Sequence, residues 1–167
     1  MPIARTVEVY LEQNRVPYEI ISHRHTLTSS DTAKAAAVSP RQIAKSVILG
    51  DARGHLMAVV PGDDHVDIDQ LSRRLGRQLR LVPEDTLAQL FSDCERGAIP
   101  PLGRAYGIDT IVDDRVLVQD HVCFTAGDHD ALVRVDNESF RVLIKGAGHA
   151  PIGRAAPLGP PPTDAAT

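Results

Sequence analysis

The sequence has no tryptophan and two cysteines, Cys94 and Cys123, far apart and without CxxC spacing. A disulfide framework or a structural zinc site is therefore not expected. No apolar stretch approaches the roughly 18 residues of a membrane span. The N-terminus has neither the basic head nor the apolar run of a signal peptide, so a cytoplasmic protein is expected. Positive charge is not in excess: the formal net charge is −4 and the sequence pI about 5.9. Coating of nucleic acid through its phosphates is thereby disfavoured, while recognition of one nucleic-acid end by a local patch stays open. The GxSxG elbow, the P-loop, GxGxxG and HExxH are all absent, which argues against a covalent or metal-assisted mechanism.

What is present is the composition of an ordinary globular domain, 43% hydrophobic and 24% charged over 167 residues. A chain of this length buries about two thirds of its unfolded surface as one domain. The spacing of Ala4, Val7, Tyr10 and Leu11 predicts a helix up to Arg15, ended by Pro17. Tyr18 to Ile21 reads as a strand, and Asp31 to Val38 as an alanine-rich helix with caps available in Thr28-Ser29-Ser30-Asp31. Ser39-Pro40 restarts a helix that turns extended near Lys45. Ser46 to Leu49 and Leu56 to Val60 predict a hairpin around Asp51-Ala52-Arg53-Gly54. Asp67 caps a helix ended by Gly76, Arg80 to Val82 is a short strand, and Pro83 to Phe91 is an amphipathic helix. Further strands are expected at Thr110–Val112, Val116–Val118, Val122–Thr125 and Ala131–Val135, then a helix Glu138–Ile144. The mixed order implies α/β or α+β around a mixed, curved sheet. Residues 1–145 form the domain, and the Gly/Pro/Ala-rich stretch 146–167 is expected to be loosely held.

Three segments carry candidate chemistry. Lys45 sits inside the apolar run Ile43-Ala44-Lys45-Ser46-Val47-Ile48-Leu49. Its stem can cover apolar surface while the head reaches water, or the ammonium can be a fixed cation for a ligand oxygen. Gly97-Ala98-Ile99-Pro100-Pro101-Leu102-Gly103 is a stiff loop able to present backbone groups to a small polar ligand, or simply a rigid connection. Thr125-Ala126-Gly127 ends a strand in small residues, a pocket floor or a hairpin turn, with His129 beyond it as an oriented base or a solvated turn residue. His23 and His25 would share a face if the chain there were a strand, but no carboxylate cluster accompanies them, so no metal is expected. The cysteines read as inert packing residues.

In this order the segments resemble the YbaK family of aminoacyl-tRNA deacylases, which includes the editing domain of bacterial prolyl-tRNA synthetases and its free-standing relatives. The resemblance rests on His25 ahead of Thr32-Ala33-Lys34-Ala35-Ala36, on Gln42 to Leu49, Val60-Pro61-Gly62-Asp63 and Asp67 to Leu71. Gly97 to Gly103, Ile111-Val112-Asp113 and Thr125-Ala126-Gly127 complete it, covering about Ile3 to Lys145. It implies a compact α/β fold with a barrel-like mixed sheet flanked by helices. It also implies a trans-acting hydrolase that cleaves the ester of a mischarged tRNA, with a small amino acid on tRNA-Pro as the expected substrate. Lys45 and Gly97 are then the expected catalytic residues. His25, Ala98, Ile99, Pro100, Pro101, Gly103, Ala126, Gly127 and His129 are the expected substrate-binding ones. The expected partner is the acceptor end of an aminoacyl-tRNA, with a synthetase as a second candidate, and neither membrane, DNA nor cofactor. The alternative from another class is a non-catalytic module that binds an aminoacyl-nucleotide or tRNA end.

Overall fold

The computed structural model describes residues 3–155. Helix α1 (Arg5–Gln13) buries Val7, Tyr10 and Leu11, the stripe that the spacing predicts. It is followed by β1 (Glu19–Ser22) and α2 (Ser29–Ala36), whose N-cap Thr28 accepts the Asp31 amide at 3.1 Å. The expected helix at Ser39-Pro40 is a single 3₁₀ turn, Pro40–Gln42, after which β2 (Ala44–Asp51) begins. β2 and β3 (Gly54–Pro61) form the predicted hairpin in the register Lys45↔Val60 to Asp51↔Gly54. Next come β4 (Asp64–Val66), α3 (Ile68–Leu75), β5 (Arg80–Leu81) and α4 (Glu84–Leu90). The chain then runs through the glycine loop to β6 (Asp109–Asp113), β7 (His121–Phe124), β8 (Ala131–Asp136), α5 (Asn137–Leu143), β9 (Gly148–Ala150) and β10 (Gly153–Ala155).

β3 explains the layout. Its run Leu56-Met57-Ala58-Val59-Val60 is apolar at every position, as a strand covered on both faces must be. Met57 and Val59 enter one core with Leu11, Phe91, Phe124 and Phe140, while Leu56, Ala58 and Val60 enter another with Leu71, Leu79 and Ile152. The central sheet has the order β5-β2-β3-β6-β9, antiparallel between β2 and β3 and parallel from β3 to β6 to β9. A second sheet, β1-β8-β7, and a two-stranded ladder, β10-β4, lie outside it.

The mixed α/β class is as expected, but the barrel-like detail is not. The described strands fall into three separate ladders that do not close, and single bridges such as Ile43↔Cys123 and Ile3↔Gly127 stitch between elements. Two further expectations change. Val116–Val118 is a turn rather than a strand, because Asp113 accepts the backbone amides of Arg115 and Val116 and curls the chain. Within the stretch expected to be loosely held, residues 148–155 carry β9 and β10, and 156–167 lie outside the described residues. Among the described residues no helix is long and apolar enough to cross a membrane.

Candidate active site

Lys45 is the second residue of β2, opposite Val60. Strand alternation sets it on the face of Val47 and Leu49, so its stem leaves an apolar surface. The ammonium donates to the backbone carbonyl of Asp64 and, among the described residues, pairs with no carboxylate. Burial pulls its pKa below the ordinary 10.5, and the charges of Asp64 and Asp63 offset part of that pull. Lys45 is therefore a half-buried cation anchored on one side and open on the other.

Lys45 lines a cavity of about 270 Å³. Gly97 and Ile99 form one wall, His129 and Thr125 another, and Thr28, Ser29 and Thr32 from the start of α2 a third. The loop is locally held. Gly97 has φ of 79°, a left-handed angle that favours glycine, and a β-carbon there would lie 3.4 Å from the His129 ring. Ser46 donates its hydroxyl to the Ile99 carbonyl at 2.7 Å, the Ala98 carbonyl accepts the Gly127 amide at 3.0 Å, and the Glu95 amide donates to the Gly127 carbonyl at 2.7 Å. Neither the Gly97 nor the Ile99 amide has an acceptor among the described residues. Both residues line the cavity, so these two N–H groups, without a protein partner among the described residues, sit beside its space.

His129 is buried, and its Nε2 lies 2.5 Å from the Arg96 carbonyl. A carbonyl can only accept, so the proton sits on Nε2 and that nitrogen braces the loop. The ring is packed edge-on by His25, 5.5 Å between centroids, and His25 Nδ1 in turn meets Asp130 at 2.8 Å. The His23–His25 segment lies past the end of β1, so the two rings are not presented as strand neighbours. Among the described residues no group of three His, Cys, Asp or Glu side chains is arranged to hold a metal ion.

Of the residues singled out from sequence, Lys45, Gly97, Ile99 and His129 meet around one cavity. His25 stands behind His129. Ala98, Pro100, Pro101 and Ala126 are buried and do not line the cavity. Gly127 packs so tightly on Ala4 that a β-carbon would lie 2.9 Å from its nitrogen. Gly103 faces Thr110 and Ile108, with 2.1 Å left to the Thr110 hydroxyl, and borders a different cleft. At both positions a close neighbour accounts for the glycine. Sequence reading missed Ser46, Leu27, Leu81, Glu84 and Leu87, all of which line the cavity. Ser46 was findable as the one hydroxyl in the apolar run beside Lys45. The thiols of Cys94 and Cys123 are pushed up to about 11 by burial, which leaves them protonated near neutrality.

Comparison with known proteins agrees with this layout. Residues 23–143, well over half the chain, match the aminoacyl-tRNA editing domain. The prolyl-tRNA editing protein ProX of Acetoanaerobium sticklandii is 24% identical over 156 residues, spanning 89% of this chain and 94% of that protein. Among solved structures, a proposed trans-editing enzyme for prolyl tRNA synthetase superposes with a TM-score of 0.80 at 24% identity, covering 93% of this chain and 99% of that one. The hypothetical protein APE2540 superposes at 0.79 with 23% identity, over 90% and 100% of the two chains. At such identities these likenesses show the fold. The extent of the domain match, over a fold that holds Lys45 and the Gly97 loop around one cavity, shows that this chain belongs to the YbaK-type aminoacyl-tRNA editing family.

Proposed function

We propose that this chain is a trans-acting editing hydrolase that cleaves the ester of a mischarged tRNA, releasing a small amino acid from tRNA-Pro. The observation that carries this reading is that half-buried Lys45 lines one cavity with Gly97 and Ile99, whose amides have no acceptor among the described residues. An aminoacyl ester is already activated, so positioning and charge stabilisation are enough to hydrolyse it. Lys45 anchors the terminal nucleotide. The loop amides polarise the ester carbonyl, water adds to its carbon, and the resulting oxyanion is held by the same N–H groups. The carbon–oxygen bond to the ribose then breaks, and the ribose oxygen leaves with a proton relayed through its neighbouring hydroxyl. No protein nucleophile is needed, and the raised thiol pKa values leave neither cysteine suited to be one.

The cavity's size supports a small aminoacyl group, since about 270 Å³ must also admit part of the terminal ribose. His129, with Nε2 committed to the Arg96 carbonyl, acts as a wall and brace in this scheme rather than as the base. A cytoplasmic site of action beside a prolyl-tRNA synthetase follows from the same reading. The test is deacylation of tRNAs charged with alanine, cysteine, serine and proline by wild type and Lys45→Ala. Hydrolysis of one or two of them that is lost in the variant is the expected result. Lysine-dependent binding without hydrolysis would replace the enzyme with a binding module.

A further inference from the structure

We propose that Asp64, clamped by Arg115, is the positioning residue of Lys45, and that the strand β10 closes this clamp. The inference rests on the editing role of Lys45 proposed above. Asp64 is fully buried at the start of β4 and acts through both its ends. Its backbone carbonyl receives the Lys45 ammonium. Its carboxylate is gripped by Arg115 and approached by Arg41 at 3.4 Å.

Arg115 is itself fixed. Its Nε donates to Asp113 at 2.9 Å and its Nη2 to the other Asp113 oxygen at 3.1 Å. Asp113, also fully buried, accepts the backbone amides of Ile152 at 3.0 Å and Gly153 at 2.8 Å. Gly153 shows how tightly the parts fit: a β-carbon there would lie 3.0 Å from Arg115 Nη2, from Asp64 Oδ2 and from Val60. A continuous line of contacts therefore runs from β10 through Asp113 and Arg115 to the carbonyl that holds Lys45. Residues 148–155 lie beyond the matched editing domain, which ends at 143.

The line has an electrostatic consequence as well. The charged groups around the ammonium are Asp63 and Asp64 ahead of and within β4, Arg41 from the 3₁₀ turn and Arg115 after β6. Glu84 and His129 stand across the cavity. Burial drives Lys45 toward its neutral form, and Asp64 is the larger of the two charges that counter it. Without Asp64 the cation would be both loose and more easily lost.

The test compares Asp64→Asn and Arg115→Lys with wild type in deacylation of a tRNA that wild type hydrolyses. Arg77→Lys is the control, since it weakens a similarly shielded ion pair with Asp51 at the opposite end of β2. Displacement of the anchoring group predicts a fall in kcat of about ten- to a hundredfold with KM little changed. The Asp64→Asn variant should also lose activity at lower alkaline pH than wild type. The control should lose some thermal stability and keep its kcat. If Asp64→Asn does not fold, Arg115→Lys decides, and a kcat equal to that of the control overturns the proposal.

A second readout needs no activity. The chain has three lysines, Lys34, Lys45 and Lys145, so amine labelling followed by mass spectrometry resolves each one against pH. In Asp64→Asn the half-labelling pH of Lys45 should fall while Lys34 and Lys145 stay put. An unchanged Lys45 profile overturns the proposal. Failure of wild type to deacylate any charged tRNA would sink the proposed function, and the labelling would still decide this inference.

Discussion

Replacing Lys45 by methionine separates its role in function from its role in the fold. The two side chains are similar in length and unbranched, so methionine can follow the lysine stem along the Val47 and Leu49 face. The substitution removes the ammonium bond to the Asp64 carbonyl, a charge-assisted bond worth about 1.5–3 kcal/mol in comparable cases. It also removes the cost of holding a cation where burial already depresses its pKa. Added apolar burial contributes about 0.8 kcal/mol per methylene-sized group. These contributions nearly cancel, so stability should stay within about 1 kcal/mol of wild type, or roughly 2–4 °C in a chain of this size. Activity should not cancel. Without the charge that anchors the terminal nucleotide, the ester is misplaced against the loop amides, which costs about a hundredfold. A second signature follows from linkage. Because the folded-state pKa lies below 10.5, the unfolded chain binds more protons between the two values, and wild-type stability rises with pH across that window. The methionine variant should lack that rise. Deacylation and thermal melts on the same preparation decide the matter. A folded variant that deacylates within about tenfold of wild type refutes the role of the charge, and a large drop in Tm shows that the lysine serves the fold.

Gly127→Ala should lower stability by about 2–3 kcal/mol in a urea titration, because φ is 121° there and the new methyl meets Ala4. Ser46→Ala leaves the Ile99 carbonyl without its 2.7 Å donor, which should cost about 1–3 kcal/mol and raise KM by loosening the loop. In acid, Asp51 should titrate near 2 by NMR, held down chiefly by the Arg77 guanidinium. Asp113 is also depressed: burial, the largest single influence, pushes it up, but the bonds from Arg115, Gly153 and Ile152 together outweigh that push. Both carboxylates thus contribute stability that is complete above their ordinary value of 3.8 and is lost as pH falls through their folded values, so urea midpoints should drop below about pH 4. Cys94 and Cys123, pushed up to about 11 by burial, should react with a thiol reagent at neutral pH much more slowly in the folded protein than in urea, and half-buried Cys94 faster than buried Cys123.

Local patterning made most of the elements legible. The Asp67 cap, the Gly76 stop and the Asp51–Gly54 turn each carry their own chemistry in adjacent residues. Val116–Val118 misled because its β-branched residues favour a strand while the Asp113 side chain, acting two residues away, imposes a turn. The site divided along the same line. Lys45 and Gly97 stand out because an ammonium in an apolar run and a glycine before two prolines are locally anomalous. Leu81, Glu84 and Leu87 are ordinary residues that reach the cavity only because β5 pairs with β2 and α4 follows it. Gly103 and Gly127 looked like ligand contacts, but the reason for glycine there is a neighbour distant in sequence, Thr110 hydroxyl in one case and Ala4 in the other. The stretch 148–155 was unreadable for a related reason. Its glycines and alanines carry no amphipathic pattern, and its order comes from amides that Asp113 accepts.

That dependence has a temporal side. Ribosomes make the chain from its N-terminus, so Lys45, the Gly97 loop and Asp113 all emerge before Gly153. Until the amides of Ile152 and Gly153 arrive, the Asp113 carboxylate is without two of its donors, and the Arg115 clamp on Asp64 is seated against an unfinished wall. A nascent chain stalled ahead of Ile152 would then hold every residue of the cavity and still lack a firmly placed ammonium. On the proposed role of Lys45, activity would wait on a backbone stretch that follows every cavity residue in the chain and lines no part of that cavity.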